Sequence, residues 1–149
     1  MLATGCDSGE DLAPQADPSG STATPSPQAT PQTADEALVD EVLERLAATL
    51  AVVTQARKAP LLRKALAPLV RAHRGHIEVL EGEPPDQAAP GPTPDPAAML
   101  LLVRRGERDL QAELVDAAER AESGSLARVL ASMSASVTQH LASLPKEAS

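Results

Sequence analysis

The sequence predicts an all-α chain: an antiparallel four-helix bundle preceded by a disordered N-terminal tether. Apolar residues recur at helical spacing in separate long segments, and no stretch alternates as a strand would. Phe, Trp and Tyr are absent, so a core must be assembled from Leu, Val, Ala, Ile and Met. That palette suits helices and serves sheets poorly. The segments are joined in pairs by short breaks, which favour antiparallel neighbours.

The elements follow in order. Thr33-Ala34-Asp35-Glu36 has the spacing of a capping box, and a first helix is expected from Ala34 to about Lys58. It places Leu38, Val42, Leu46, Leu50 and Val53 on one face. Acids in its first turns and Arg57 and Lys58 at its end suit the helix dipole. Pro60 fits the first position of a second helix, where a missing N–H does no harm. That helix should run to about Glu81, with Gly82 as terminator and a kink at Pro68. Its stripe is Leu62, Leu66, Leu69, His73, Ile77 and Leu80. A Pro-rich loop fills Gly82 to Pro94. Asp95 followed by Pro96 then caps a third helix that runs to about Glu122. Its stripe is Leu100, Val103, Glu107, Leu110, Leu114, Ala117 and Ala121. After the break Ser123-Gly124-Ser125, a fourth helix carries Leu126, Val129, Met133, Val137, His140 and Leu144, and Pro145 stops it. At 1.5 Å per residue these helices are about 30–40 Å long.

Composition narrows the function. The chain of 149 residues holds 13 Lys+Arg against 21 Asp+Glu, a formal net charge of -8. Without aromatic rings there is no platform on which bases can stack. The acidic balance disfavours a DNA backbone, so no nucleic-acid partner is expected. No apolar run approaches the roughly 20 residues that a membrane-spanning helix needs.

The N-terminus reads as an address. The single cysteine, Cys6, closes Leu2-Ala3-Thr4-Gly5-Cys6. This resembles the lipobox of bacterial lipoproteins, in which small residues precede a cysteine that is diacylated and becomes the new first residue. The resemblance implies lipid attachment at Cys6 and anchoring at the extracytoplasmic face of the cell membrane. Residues 1–6 are then the remnant of a signal whose charged and apolar regions are expected upstream of Met1. Residues 7–33 mix Pro, Ser, Thr, Gln and Ala with almost no large apolar side chain, the composition of a disordered linker. The helical domain is expected over 34–145, with a short tail over 146–149.

Polar residues interrupt the buried stripes. The 3 histidines, His73, His76 and His140, fall on or beside them, and Glu107 occupies a stripe position between Val103 and Leu110. A buried charge requires a partner or a metal. Three arrangements fit: a hydrogen-bonded His–Glu network, a mononuclear zinc-like site, or histidines facing solvent near a helix end. The stretches Leu69-Val70-Arg71-Ala72-His73-Arg74-Gly75-His76 and Leu126-Ala127-Arg128-Val129-Leu130-Ala131-Ser132-Met133 resemble the ferritin-like four-helix domain of exported actinobacterial proteins and lipoproteins. The likeness extends over roughly 34–145. It implies that His76 and His140 match the metal-binding histidines and that Glu107 matches the glutamate of helix three. His73 and Val137 stand where that family carries Glu, and helix one offers Thr49 and no acid. Most bridging carboxylates are therefore missing, so di-iron oxygen chemistry is not expected.

Arg57, Lys58, Arg63, Lys64, Arg71 and Arg74 make the first joint and helix two basic. Pairing with acids of neighbouring helices is the favoured explanation, ahead of docking on an anionic surface such as lipid headgroups. The serines of helix four lack a base at any nucleophile spacing. The expected function is that of a membrane-anchored, non-catalytic binding or scaffolding module. A possible protein partner, and no cofactor, go with that reading. The alternatives are a divalent-metal (Zn or Fe) protein using His73, His76, Glu107 and His140, and a cytoplasmic helical protein in which Cys6 is incidental.

Overall fold

The computed structural model describes residues 31–85 and 93–147. Cys6, the lipobox, residues 7–30 of the expected linker, residues 86–92 of the expected loop and the last two residues lie outside them. Among the described residues all regular structure is helical. The elements are α1 (Pro31–Ala56), α2 (Pro60–Arg63), α3 (Ala67–Val79), α4 (Pro96–Arg120) and α5 (Gly124–Ser143). No helix among them is long and apolar enough to cross a membrane.

The expected boundaries need three corrections. α1 begins at Pro31, so Thr33 lies inside it and is not its N-cap. Proline is compatible with a first helical turn, which lets the helix extend back into the expected linker. Helix two is two helices, α2 and α3, separated by a turn over 64–66. Pro68 has no N–H to give to the Lys64 carbonyl, and its ring would clash there. The chain therefore restarts the helix at Ala67, where proline sits harmlessly in the first turn. α5 starts at Gly124, earlier than expected, because Ser123 caps it by accepting from the Leu126 N–H at 3.2 Å. Asp95 caps α4 as its position suggests, accepting from the Ala98 N–H at 2.7 Å.

At the end of α3 the left-handed residue is Glu81, with φ 60°, and not Gly82. The Gly82 N–H closes the turn on the Ile77 carbonyl at 2.9 Å, as in a Schellman ending. Gly82 also leaves room for a close neighbour, and a larger residue there would make the end of the Leu43 side chain turn aside. A Cβ there would run into the Leu43 side chain of α1 and lie 3.1 Å from Ile77 Cγ2.

α1 packs on α3 and α4, α4 packs on α5, and α3 meets α5. Cross-links fix the directions. Arg45 meets Glu113 at 2.7 Å and Arg120 meets Glu41 at 2.8 Å, so α1 and α4 run antiparallel. Arg104 donates to the Leu144 carbonyl at 3.2 Å and also to that of Pro145. Ser134 donates to the Gln111 carbonyl at 3.4 Å, so α4 and α5 are antiparallel as well. Asp35 ties the start of α1 to the turn between α4 and α5, accepting the N–H groups of Glu122 at 2.8 Å and Ser123 at 3.0 Å. Its bond from the Glu122 backbone, helped by those from Ser123, holds its carboxyl below the ordinary aspartate value.

The core is aliphatic. Leu38, Val42, Leu46, Leu50 and Val53 of α1 are all buried, as are Leu62, Leu66, Leu69, Ile77 and Leu80. Leu100, Val103, Leu110, Leu114 and Ala117 bury the inner face of α4. α5 departs from its expected stripe. Leu130, Met133, Ser134, Val137 and Leu144 are buried, while Leu126, Val129 and His140 are only half-buried. The core therefore thins toward the end that holds the α4–α5 turn.

Candidate functional site

Two of the expected polar residues form one feature. His73 projects from α3 and Glu107 from α4, each 0% exposed, and His73 Nε2 lies 2.7 Å from Glu107 Oε1. The stripe spacing on each helix puts both side chains in the interior, where a charge-assisted hydrogen bond is the natural satisfaction. The satisfaction is partial. Among the described residues, His73 Nδ1 and Glu107 Oε2 have no hydrogen-bond partner.

The other two histidines stand around this pair without completing it. The rings of His73 and His76 meet edge to face, with centroids 6.1 Å apart. His76 is half-buried, and its Nδ1 has no partner. His140, also half-buried, lies close enough to act on His76 electrostatically. Among the described residues no group of three or more His, Cys, Asp or Glu side chains stands where it could hold a metal ion. The tetrad of His73, His76, Glu107 and His140 therefore does not assemble as a ligand set. The i, i+3 spacing sets His76 beside His73, but only His73 reaches the carboxylate. Thr49, in the corresponding band of α1, is buried and donates to its own helix at the Arg45 carbonyl, 3.0 Å away.

Burial pushes the His76 ring down to about 4, with the neighbouring His73 and then His140 adding to the shift. An unfolded His76 takes a proton near pH 6.5, whereas the folded one resists until about pH 4. The unfolded state thus binds more protons in that window, and stability falls as pH drops through it. Urea midpoints measured from pH 7.5 to 4.5 should decline more steeply for the native chain than for His76→Gln. Parallel declines would show that His76 is not the group responsible.

A second feature was not expected from the sequence. An open groove of about 740 Å³ lies where the start of α1, the end of α3 and the α4–α5 turn meet. Val39, Val79, Leu80, Leu126 and Val129 give it an apolar floor. The carboxylates of Asp35, Glu36, Asp40, Glu81 and Glu122 surround them, and among the described residues no Lys, Arg or His lines it. Val79 is 61% exposed, a high value for a valine beside a core. The volume falls within the range typical of ligand pockets. None of His73, His76, Glu107 and His140 lines this groove. The polar pair and the accessible concavity are therefore separate places, and the pair offers no activated nucleophile to anything bound in the groove.

No family model, curated protein or solved structure matches the chain. The functional reading rests on the geometry and chemistry of the chain itself. Sequence reasoning missed the groove because Val39 and Val79 lie off the main stripes, while Leu80, Leu126 and Val129 were expected inside the core. Val39 and Val79 were the available signal, since each is an apolar residue with no place on its helix's buried face.

Proposed function

We propose that this chain is a non-catalytic binding module, anchored through a lipid on Cys6 at the extracytoplasmic face of the cell membrane. In this reading the all-helical domain is a four-helix bundle of ferritin-like layout whose second helix is broken at Pro68. It resembles the domains of actinobacterial lipoproteins with the metal motif degenerated to the His73–Glu107 pair. The observation that carries the binding role is the groove. An apolar floor within a carboxylate rim favours a partner segment with apolar side chains flanked by Lys or Arg. The closed His73–Glu107 pair supports a structural rather than catalytic role for the interior.

Two experiments test this reading. A fluorescent peptide of alternating Leu and Lys blocks should bind the folded domain, and Asp40→Lys with Glu81→Lys should abolish binding while leaving the helical signal intact. Unchanged affinity in that variant would refute the groove as the binding surface. Separately, the gene expressed with its upstream region should yield a product labelled by fatty acid and recovered with membranes. Cys6→Ser should remove both properties. A native product without acyl label would refute the anchor.

A further inference from the structure

We infer that the corner formed by the end of α1, α2 and the start of α3 docks on an anionic phospholipid surface. The sequence holds no Asp or Glu between Glu44 and Glu78, in a chain whose net charge is -8. Into that interval fall Arg57, Lys58, Arg63, Lys64, Arg71 and Arg74. Pairing with acids of neighbouring helices was the expected use of these bases, and for Arg63, Lys64 and Arg71 the described residues do not provide it. Asp35, Asp40 and Glu41 stand at the opposite end of α1, where Glu41 is taken by Arg120 at 2.8 Å. Among the described residues Arg63, Lys64 and Arg71 are exposed and have no ion pair with a carboxylate.

Two features make this corner a surface for a bilayer rather than a merely solvated face. Leu61, close in sequence to Arg63 of α2 and to Lys64 just after it, is 57% exposed, with exposed Pro60 before it. An apolar side chain flanked by cations is the pattern of a segment that seats in the headgroup region. The corner is also held in shape, because Arg57 Nε donates to the Arg63 carbonyl at 3.2 Å across the joint. The chain length between Cys6 and Pro31 allows it: fully extended, it could reach about 80 Å. That exceeds the length of α1, about 39 Å at 1.5 Å per residue.

The docking is independent of acylation and can be measured on the full chain carrying Cys6→Ser. Vesicles of phosphatidylcholine alone would be compared with vesicles containing about one-third phosphatidylglycerol. Co-sedimentation is expected only with the anionic vesicles, and it should weaken as salt rises. Each base near such a surface contributes about fivefold in binding, so Arg63→Gln with Lys64→Gln should lower it about 25-fold. Leu61→Ser should lower it further, whereas Arg105→Gln with Arg108→Gln on α4 should leave it unchanged. Circular dichroism melts would show that each variant is folded. Equal binding to neutral vesicles, no binding, or an equal loss in the α4 variant would overturn the inference. So would polyglutamate competing at equal charge concentration, which would make the partner an acidic polymer. Because the assay uses unacylated protein, its failure leaves the anchor at Cys6 standing, and failure of the anchor leaves this result standing.

Discussion

His73→Leu is expected to destabilise the chain by about 3–5 kcal/mol, because it leaves the Glu107 carboxylate buried without its hydrogen-bond partner. Glu107 is 0% exposed, and its Oε2 already lacks a hydrogen bond. Removing His73 would orphan Oε1 too. The reverse deletion should be milder. Glu107→Gln retains the shape and can still bond to His73 Nε2, so only about 1–2 kcal/mol should be lost. The double variant His73→Leu with Glu107→Leu should recover most of the loss or exceed native stability, since well-packed apolar residues often outperform a buried ion pair. Guanidinium unfolding of the native chain, His73→Leu, Glu107→Leu and the double variant closes a cycle that gives the coupling directly. Equal small losses for both single variants would show that water reaches the pair.

Leu46→Ala is the second large effect, expected at about 2–5 kcal/mol. Leu46 is 0% exposed, midway along α1, on the face that α3 and α4 cover. The core has no Phe, Tyr or Trp that could swing into the vacated space, and its aliphatic neighbours are held on helices. The cavity should therefore persist, at roughly 24 cal/mol for each Å³ left empty. Leu46→Met keeps the volume and should lose less than about 1.5 kcal/mol. A thermal melt reads both, at about 4–8 °C per kcal/mol for a domain near this size. A drop of only a degree or two for Leu46→Ala would mean that the α1 face is loosely packed.

The helical fold was legible because the stripes are regular. Leu38 through Val53, and Leu100 through Ala117, recur at spacings that only a helix can place on one side, and all are buried. Pro68 announced a disturbance, but not its size. Whether a proline bends a helix or divides it depends on what the flanking turns can pack against, and that is a tertiary matter. The buried His73–Glu107 pair was legible as two polar residues on apolar stripes. Its exclusion of His76 and His140 was not, because ring orientation is set by the relative rotation of α3 and α5. The groove was least legible of all. Its lining is drawn from the ends of α1, α3 and α5 and the turn before α5, segments whose sequence separation approaches the whole domain.

The separation of charge along the domain has a mechanical consequence. The carboxylate-rimmed groove lies at one end of α1 and Arg63 and Lys64 at the other, so the described helices carry an electric dipole along their axis. Close to a negatively charged plane it experiences a torque that swings the basic pole inward before any atom touches. Physiological salt confines that field to about 8 Å, so reorientation belongs to the last nanometre of approach. The same screening leaves the far pole, about 39 Å away by helix rise, outside the field. A cationic visitor would therefore meet the groove there at its own potential, undisturbed by the plane beneath.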